Sequence, residues 1–209
     1  TAATAELCKV MENTYRDVNI ALANALADVA MNCGVDIQEA IAICNRHPRV
    51  NLHAPGIGVG GHCIPVDPWF LISDDVESTH LLRLARQIND DRPNRVANAI
   101  LRTVEGSGYR DIALLGLTYK ADVDDFRESP ALQIAETLSK KFPGRVLAVD
   151  PYSDVLDESV RARSALTLAP LDQALEEAGI ILALVPHAEF KLLERPDNVV
   201  VIDPVGLWK

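Results

Sequence analysis

The sequence lacks the features that mark membrane, secreted and nucleic-acid-binding proteins. No apolar run approaches the roughly 18 residues of a membrane span, and no basic segment followed by an apolar stretch opens the chain. The longest Lys/Arg cluster is Lys140-Lys141, and a net charge of -10 would repel a phosphate backbone. We therefore expect a cytoplasmic protein that binds neither membrane nor nucleic acid.

The cysteines do not form a recognisable framework. The four cysteines have no CxxC spacing, and no His/Cys cluster has the pattern of a zinc site, so neither disulfides nor a metal ion are expected. Cys8, Cys33 and Cys44 lie within helical patterns, where a free cysteine usually acts as a small buried hydrophobe. We expect these three to be buried. Cys63 differs, because it lies in a loop rich in Gly and Pro.

The first half of the chain has the spacing of helices. With 48% hydrophobic residues in 209, the chain can form two modest cores. Residues 4–33 contain neither Pro nor Gly, and their apolar residues recur at helical spacing, which predicts one long helix. Such a helix, about 45 Å long at 1.5 Å per residue, exceeds what one small domain needs and often packs against a copy of itself. We therefore expect a homodimer.

Further helices follow. Asp36 is a suitable N-cap for a short helix that ends at Cys44. Helical spacing resumes near Glu77 and continues past Pro93 to Gly106. Because Pro93 lacks an amide donor, this region is either two helices or one kinked helix.

After Gly108 the pattern changes to short continuous apolar runs, which are typical of buried parallel strands. Helical segments separate them, as in a doubly wound sheet. The strands are predicted at 112–117, 145–150, 180–185 and 199–203, and the clearest helices at 129–141 and 170–177. The sequence therefore predicts an α/β protein with an all-helical dimerisation domain at 1–105 and a Rossmann-like parallel-sheet domain at 106–209.

The segment Pro55-Gly-Ile-Gly-Val-Gly-Gly-His-Cys-Ile-Pro-Val-Asp-Pro68 carries the strongest chemical signal. Gly56, Gly58 and Gly61 satisfy the GxGxxG pattern of dinucleotide-binding turns. A true fingerprint follows an apolar strand and opens a helix, whereas this one runs into Cys-Ile-Pro. We therefore reject the dinucleotide interpretation, and infer that the glycines let the backbone pass close to a ligand.

That loop makes Cys63 a candidate nucleophile. The residues alone leave open a buried structural cysteine, and the adjacent His62 is weak support. Asp67 is similarly either a turn residue before Pro68 or a carboxylate placed to handle water. Lys9 alone would be a solvated charge on a helix face.

Three motifs, in order, resemble the UDP-glucose/GDP-mannose dehydrogenase family. They are Ala5-Glu-Leu-Cys-Lys9 with Asn13, Gly58-Val-Gly-Gly-His-Cys63 with Asp67, and Gly116-Leu-Thr-Tyr-Lys120 followed by Asp122 and Arg127-Glu-Ser-Pro130. The resemblance implies the middle and C-terminal domains of a nucleotide-sugar 6-dehydrogenase that uses NAD. It also implies that NAD is bound mainly by an N-terminal domain absent from this chain, and that the fragment is inactive without that domain.

The resemblance also implies roles for residues of the helical half. Cys63 matches the thiol that attacks the C6 aldehyde and forms a thioester, which water then hydrolyses to a uronate. Lys9 and Asn13, which share a helix face, match the pair that stabilises oxyanions and positions water. Asp67 matches their carboxylate partner.

Substrate-binding roles follow in the same way. Gly58, Gly60 and Gly61 form the loop that lies against the substrate, and Arg49 matches a residue that reaches the partner subunit's substrate. By resemblance Lys120 contacts the UDP-sugar and Arg127 reaches toward the cofactor.

The sequence keeps two alternatives open in the sheet domain. Lys120 and Arg127 could instead form structural salt bridges with Asp124, Asp125 or Glu128. Asp150 follows a strand as a ribose-binding acid would, but the turn after the first strand has only one glycine, so we interpret Asp150 as an N-cap or turn residue before Pro151.

The segment from His62 to Phe70 resembles the branch of the family that oxidises 2-acetamido sugars, particularly UDP-N-acetyl-D-mannosamine, to uronates used in polysaccharide biosynthesis. The glucose branch has Lys where this chain has Val66. UDP-N-acetylglucosamine and UDP-glucose remain alternatives, as does a non-catalytic fragment that only dimerises and binds UDP-sugar.

Overall fold

The computed structural model describes residues 1–106, 108, 111–158, 160–161 and 166–208. The chain divides into two compact units, Thr1–Arg92 and Pro93–Lys209. This division precedes the boundary that we predicted between 105 and 106. The reason is that one helix continues across the division and buries Val96, Ala97 and Ile100 after it.

Every regular element described in the first unit is a helix, as predicted. The helices are α1 (Ala2–Cys33), α2 (Ile37–Cys44), α3 (Asp67–Asp74) and the first part of α4 (His80–Val104). The prediction of a single long α1 is confirmed, with 32 residues in one helix. It begins where the Thr1 hydroxyl accepts a hydrogen bond from the Thr4 N–H and ends at Gly34, which adopts the left-handed conformation with φ 69°.

The other helices follow local rules as well. The Asp36 carboxylate accepts hydrogen bonds from the Gln38 and Glu39 N–H groups and so caps α2, as predicted. Helix α3 was not predicted; it has Pro68 in its first turn, where the missing N–H has no intrahelical partner to lose. Helix α4 continues through Pro93 as a single helix, so the alternative of two separate helices is wrong.

Helix α1 has an unusual distribution of polarity. Its buried positions include polar Asn13, Asp17 and Asn24, while six of its large apolar side chains lie exposed on the surface of the single chain. These exposed side chains are Leu7, Met11, Tyr15, Leu22, Val29 and Met31. The rest of this unit therefore leaves much of the apolar stripe seen in the sequence uncovered.

The prediction that Cys8, Cys33 and Cys44 are buried is wrong. All four free cysteines, including Cys63, are exposed. Helical spacing identified their elements correctly, but burial depends on which helix face meets the core, and the buried face of α1 carries Asn, Asp and Ala instead. Among the described residues, no helix is long and apolar enough to cross a membrane.

The second unit contains the predicted parallel sheet. Its strands are β1 (Asp111–Leu115), β2 (Arg145–Val149), β3 (Thr167–Leu168), β4 (Ile180–Ala183) and β5 (Val200–Ile202), with α5 (Pro130–Lys141) and α6 (Leu171–Glu177) between them. The order is β3-β2-β1-β4-β5, and every pairing is parallel. Of the strands that the structure describes, only the two-residue β3 was not predicted. The α/β, Rossmann-like fold class is confirmed.

The registers explain which strands form the core. Ile112 pairs with Val146 on one side and Ile180 on the other, and Leu115 pairs with Val149 and Ala183. Strands β1 and β4 are fully buried over these apolar residues. Because all strands point the same way, the loops after β1, β2 and β4 meet at one edge of the sheet, where such folds bind ligands.

Candidate functional site

The glycine-rich loop ends at Cys63, directly before α3. Gly58 and Gly61 have φ values of 143° and 81°, which favour glycine. The Cys63 carbonyl accepts hydrogen bonds from the Val66 and Asp67 N–H groups at 3.1 and 2.8 Å. This turn leads into α3 and leaves Cys63 exposed. The alternative of a buried structural cysteine is therefore excluded for the single chain.

The start of that loop is fixed by side chains of two helices. The Gly56 N–H donates to Asn24 Oδ1 of α1 at 2.9 Å, and the Gly56 carbonyl accepts from Arg92 Nε of α4 at 2.9 Å. Arg92 also donates to Asp28 Oδ1 at 2.5 Å. Side chains thus satisfy both the N–H and the carbonyl of Gly56, and these bonds fix the start of the loop.

Asn24 belongs to a larger buried polar network between α1 and α4. Asn24 Nδ2 donates to Asn89 Oδ1, and Asn89 Nδ2 donates to Asp17 Oδ1 at 2.8 Å. Arg86 Nη1 donates to the same Asp17 oxygen at 2.5 Å, with Arg86 and Asp17 1% and 0% exposed. Burial raises the pKa of the Asp17 carboxyl above its usual value, although attraction by Arg86 opposes the shift.

Two of the predicted catalytic residues meet across the first unit. Asn13 Nδ2 of α1 donates to Asp67 Oδ2, in the first turn of α3, at 2.6 Å. Asn13 is buried, whereas Lys9 lies one turn earlier on α1 and is exposed. This hydrogen bond connects α1 to Asp67, whose N–H donates to the Cys63 carbonyl. The Asn13 amide, the Asp67 carboxylate and the Cys63 residue are therefore linked by hydrogen bonds.

Arg49 lies in a separate closed loop. Asn45 closes it by donating from Nδ2 to the Leu52 carbonyl and accepting the Leu52 N–H at Oδ1. Inside, the Arg49 N–H donates to His47 Nδ1, and the Val50 N–H donates to the His47 carbonyl. The Arg49 side chain is exposed.

The loop after β1 carries Lys120, which is exposed. Gly116 begins this loop with φ 93°, and an added Cβ would lie 2.4 Å from the Val185 Cβ. Only glycine therefore allows this close approach to the chain after β4. The single glycine of the turn has a packing role.

Asp150, at the end of β2, fixes the same loop. Its Oδ2 accepts the Leu117 N–H at 2.6 Å and the Thr118 N–H at 3.1 Å, and its Oδ1 accepts the Tyr152 N–H at 2.8 Å. The last bond is the turn role that we predicted; the first two were not foreseen. Burial raises the pKa of Asp150, but the His187 ring and these N–H groups outweigh burial and lower it.

Arg127 forms a salt bridge with Asp125, which is the alternative that we predicted beside a contact with the cofactor. Its Nε and Nη2 donate to Asp125 Oδ1 and Oδ2 at 2.9 and 2.7 Å. Because the Asp125 carboxylate accepts these hydrogen bonds, the pKa of Arg127 is raised above its ordinary value. Arg127 and Asp125 line an open cleft with Asp124, Glu128 and Leu156.

The described residues do not fit the NAD that the resemblance implies. The only described strand-turn-helix unit with a carboxylate at the next strand end is the one at Gly116, and there Asp150 is bonded to Leu117, Thr118 and Tyr152. A ribose would have to displace these bonds. Nor does any described group of three or more His, Cys, Asp or Glu residues suit a metal ion.

Sequence reasoning missed Asn24, Arg92 and His187. Asn24 and Arg92 hold Gly56 from 32 and 36 residues away, and His187 contacts Thr118 from 69 residues away. No local spacing could have revealed these contacts. The sequence does show these residues as polar positions within largely apolar segments, and such positions indicate buried polar contacts.

Known proteins match this chain along both units. The central domain of the UDP-glucose/GDP-mannose dehydrogenase family matches residues 3–91, and the UDP binding domain of that family matches residues 113–209. An NDP-N-acetyl-D-galactosaminuronic acid dehydrogenase of Ralstonia solanacearum is 44% identical over 99% of this chain and 49% of its own length. A UDP-N-acetyl-D-mannosamine dehydrogenase of Escherichia coli K12 is 42% identical over 99% of this chain and 51% of its own.

A solved structure agrees. The UDP-N-acetyl-mannosamine dehydrogenase of S. aureus superposes with a TM-score of 0.84 at 36% identity, over 99% of this chain and 52% of that one. The chain thus spans about half the length of the relatives it matches. With the thiol loop, the Asn13–Asp67 pair and the parallel sheet in place, these matches establish that the chain belongs to the UDP-glucose/GDP-mannose dehydrogenase family.

Proposed function

We propose that this chain supplies the thiol and the UDP-sugar-binding residues of an NAD-dependent nucleotide-sugar 6-dehydrogenase that oxidises UDP-N-acetyl-D-mannosamine to its uronate. The observation that carries this proposal is the exposed Cys63 at the end of a glycine loop. Asp67, four residues later, is hydrogen-bonded to Asn13 of α1. Oxidation of an alcohol to a carboxylate needs a step in which water enters. A thioester provides that step.

In the proposed reaction, Cys63 acts on the C6 aldehyde produced by the first oxidation. Its thiolate Sγ bonds to the C6 carbon, and the carbonyl oxygen becomes an oxyanion. Lys9 and Asn13 stabilise that oxyanion, Lys9 by its charge and Asn13 by its amide N–H. The hydride acceptor of both oxidations is NAD, which the described residues do not hold, so no hydride step is derived from this chain.

Hydrolysis then completes the proposed cycle. The second oxidation leaves a thioester between C6 and Sγ. Asp67, held by Asn13 at 2.6 Å, takes a proton from water as the water oxygen attacks C6. The C6–Sγ bond breaks, the thiolate of Cys63 is restored, and the uronate leaves with the water oxygen.

The choice of an acetamido sugar rests on the residue before Asp67. Val66 is exposed, and offers apolar surface at the position where the glucose branch of the family is charged. An apolar surface suits an acetamido methyl, while a site built around a 2-hydroxyl would leave its polar groups unpaired. The Escherichia coli relative that is 42% identical acts on UDP-N-acetyl-D-mannosamine by its name.

The substrate test compares NADH production from UDP-N-acetylmannosamine, UDP-N-acetylglucosamine and UDP-glucose at equal concentration. It uses an enzyme that combines this chain with an NAD domain. We expect the largest kcat/KM for UDP-N-acetylmannosamine. A larger value for UDP-glucose than for both acetamido sugars would assign the protein to the glucose branch.

A second candidate function is non-catalytic: the chain by itself dimerises and binds UDP-sugar. This function is favoured by the hydrogen bonds of Asp150, which accepts three backbone N–H groups. Because these bonds occupy its carboxylate, Asp150 does not offer a ribose-binding group for a dinucleotide. Labelling with a thiol reagent separates the two. A Cys63 that reacts quickly and is protected by UDP-sugar supports the catalytic proposal, whereas a Cys63 that is as slow as Cys8 and unprotected supports binding alone.

A further inference from the structure

A buried polar cluster in the second unit surrounds His187, a residue that the proposed reaction does not use. Three side chains meet there from the loops after β1, β2 and β4: Thr118, Asp150 and His187. His187 is 1% exposed, and the rings of Tyr152 and Phe190 pack against it with centroids at 5.7 and 5.5 Å. The imidazole is therefore enclosed and has defined hydrogen-bond partners.

These partners determine the tautomer of the ring. The Asp122 N–H donates to His187 Nδ1 at 3.0 Å, so Nδ1 must be unprotonated. The proton therefore lies on Nε2, which is 3.0 Å from Thr118 Oγ1 and 3.3 Å from Asp150 Oδ2. The Thr118 hydroxyl donates to the Lys120 carbonyl, so its oxygen is free to accept from Nε2. The ring is neutral, with one donor and one acceptor in use.

The two ring nitrogens contact the residues two positions before and two positions after Lys120. On one side, Nε2 fixes Thr118, whose hydroxyl binds the Lys120 carbonyl at 3.0 Å. On the other side, Nδ1 accepts from Asp122, which has a φ of 61° that is unfavourable for a residue other than glycine. Asp122 Oδ1 also accepts the Ala188 N–H at 2.8 Å, next to His187. The backbone around an exposed lysine is thereby fixed from a buried ring.

We propose that His187 is a positioning residue for nucleotide-sugar binding: by accepting the Asp122 N–H as the neutral Nε2–H tautomer, it holds the turn that presents Lys120 to the UDP-sugar. Asp150 and Thr118 keep the proton on Nε2 and so keep Nδ1 available as an acceptor. The inference rests on the proposed role of Lys120 in binding the nucleotide sugar. It adds that this binding depends on a histidine that does not touch the ligand.

The test is a double-mutant cycle on the affinity for UDP-N-acetylmannosamine, measured by calorimetry with this chain. Lys120→Ala should lose about 10- to 100-fold in affinity, which corresponds to about 1.4–2.7 kcal/mol for the lysine contact. His187→Ala should lose a similar factor, and the double variant should lose little more than either. Effects that multiply in the double variant would show that His187 does not act through Lys120 and would overturn the inference.

Two conservative variants identify the bond that matters. His187→Asn places an amide oxygen near the position of Nδ1, where it should accept the Asp122 N–H. Its affinity should therefore stay within about threefold of wild type, a change of less than about 0.7 kcal/mol. His187→Gln places an amide donor near Nε2 without that acceptor and should bind as weakly as His187→Ala. The reverse order would contradict the proposal. Nitrogen NMR of the wild-type ring should show a protonated Nε2 and an accepting Nδ1; an imidazolium at neutral pH would also contradict it.

Controls separate this inference from a general loss of stability and from failure of the proposed function. Ile134→Val removes a methyl group from the buried face of α5 and should lower the melting temperature without changing affinity. If Lys120→Ala binds like wild type, the proposed role of Lys120 fails and the inference fails with it. If Lys120→Ala is weak but His187→Ala binds like wild type, only the inference fails.

Discussion

Asn13 on α1 donates a 2.6 Å hydrogen bond to Asp67 at the start of α3, and so orients the carboxylate that follows the Cys63 turn. A carboxylate held in this way can take a proton from water in one fixed direction. The two residues are 54 positions apart, and both were candidates from sequence resemblance before their contact was known.

The first prediction concerns this carboxylate. In an enzyme that combines this chain with an NAD domain, Asp67→Asn should slow uronate release by about 10²- to 10⁴-fold, the usual loss on removing a general base. The thioester should then accumulate on Cys63, which intact-mass spectrometry would detect as added mass. Asp74→Asn, at the other end of the same helix, is the matched control and should turn over like wild type.

The second prediction tests the thiol. Cys63→Ser should block uronate release and allow at most a slow single oxidation, because an alcohol is a poorer nucleophile and its ester is less reactive than a thioester. Product is measured by chromatography of the sugar nucleotides. Cys8→Ser and Cys44→Ser, which change other exposed cysteines, should remain active. Normal turnover of Cys63→Ser would exclude the covalent role.

The third prediction is a homodimer formed through α1. The exposed apolar side chains of this helix form a stripe that an isolated chain leaves in water, and a two-fold contact would bury it. Light scattering at micromolar concentration should give the mass of a dimer for wild type and a monomer for Met11→Glu combined with Leu22→Glu. Leu192→Glu, at a leucine of the second unit that is even more exposed, should stay dimeric. A monomeric wild type would contradict the prediction.

The fourth prediction concerns the buried Asp17–Arg86 pair. Arg86→Ala leaves a buried carboxylate without its cation and should reduce the free energy of unfolding of the first unit by about 3–5 kcal/mol. Denaturant unfolding followed by circular dichroism measures the change. Lys140→Ala breaks an ion pair of the second unit, between exposed Lys140 and half-buried Glu136, and should have little effect on unfolding. Similar losses in both variants would mean that burial of the pair is unimportant.

The fifth prediction uses the lowered pKa of Asp150. Because this pKa is lower in the folded protein than its ordinary 3.8, the carboxylate stabilises the fold above that pH, and the contribution is lost as pH falls through the folded pKa. Asp150→Asn should therefore be less stable than wild type at pH 7, and the gap should narrow below about pH 4. Asp154→Asn, at an exposed position nearby, is the control. A gap that does not change with pH would show that ionisation of Asp150 is not involved.

Local sequence determined most of the secondary structure of this protein. Helix α1 follows from thirty residues without Pro or Gly and ends at Gly34, because glycine adopts the left-handed conformation that terminates helices. Asp36 caps α2 by the same kind of local rule. Continuous apolar runs gave the longer strands, since a strand covered on both faces has no polar side. Motif order gave the family and the candidates Cys63, Asn13 and Asp67.

Tertiary structure decided which faces are buried and which distant residues meet. Helical spacing cannot show that α1 buries Asn24 and exposes its cysteines, because that depends on how the helix is rotated against α4. It also cannot bring His187 to Thr118 and Asp122, which the parallel order of β1 and β4 places at one edge of the sheet. Hydrogen bonds between residues tens of positions apart leave no periodic trace in a sequence, so the supports of the Cys63 loop and of the Lys120 turn became visible only in the folded chain.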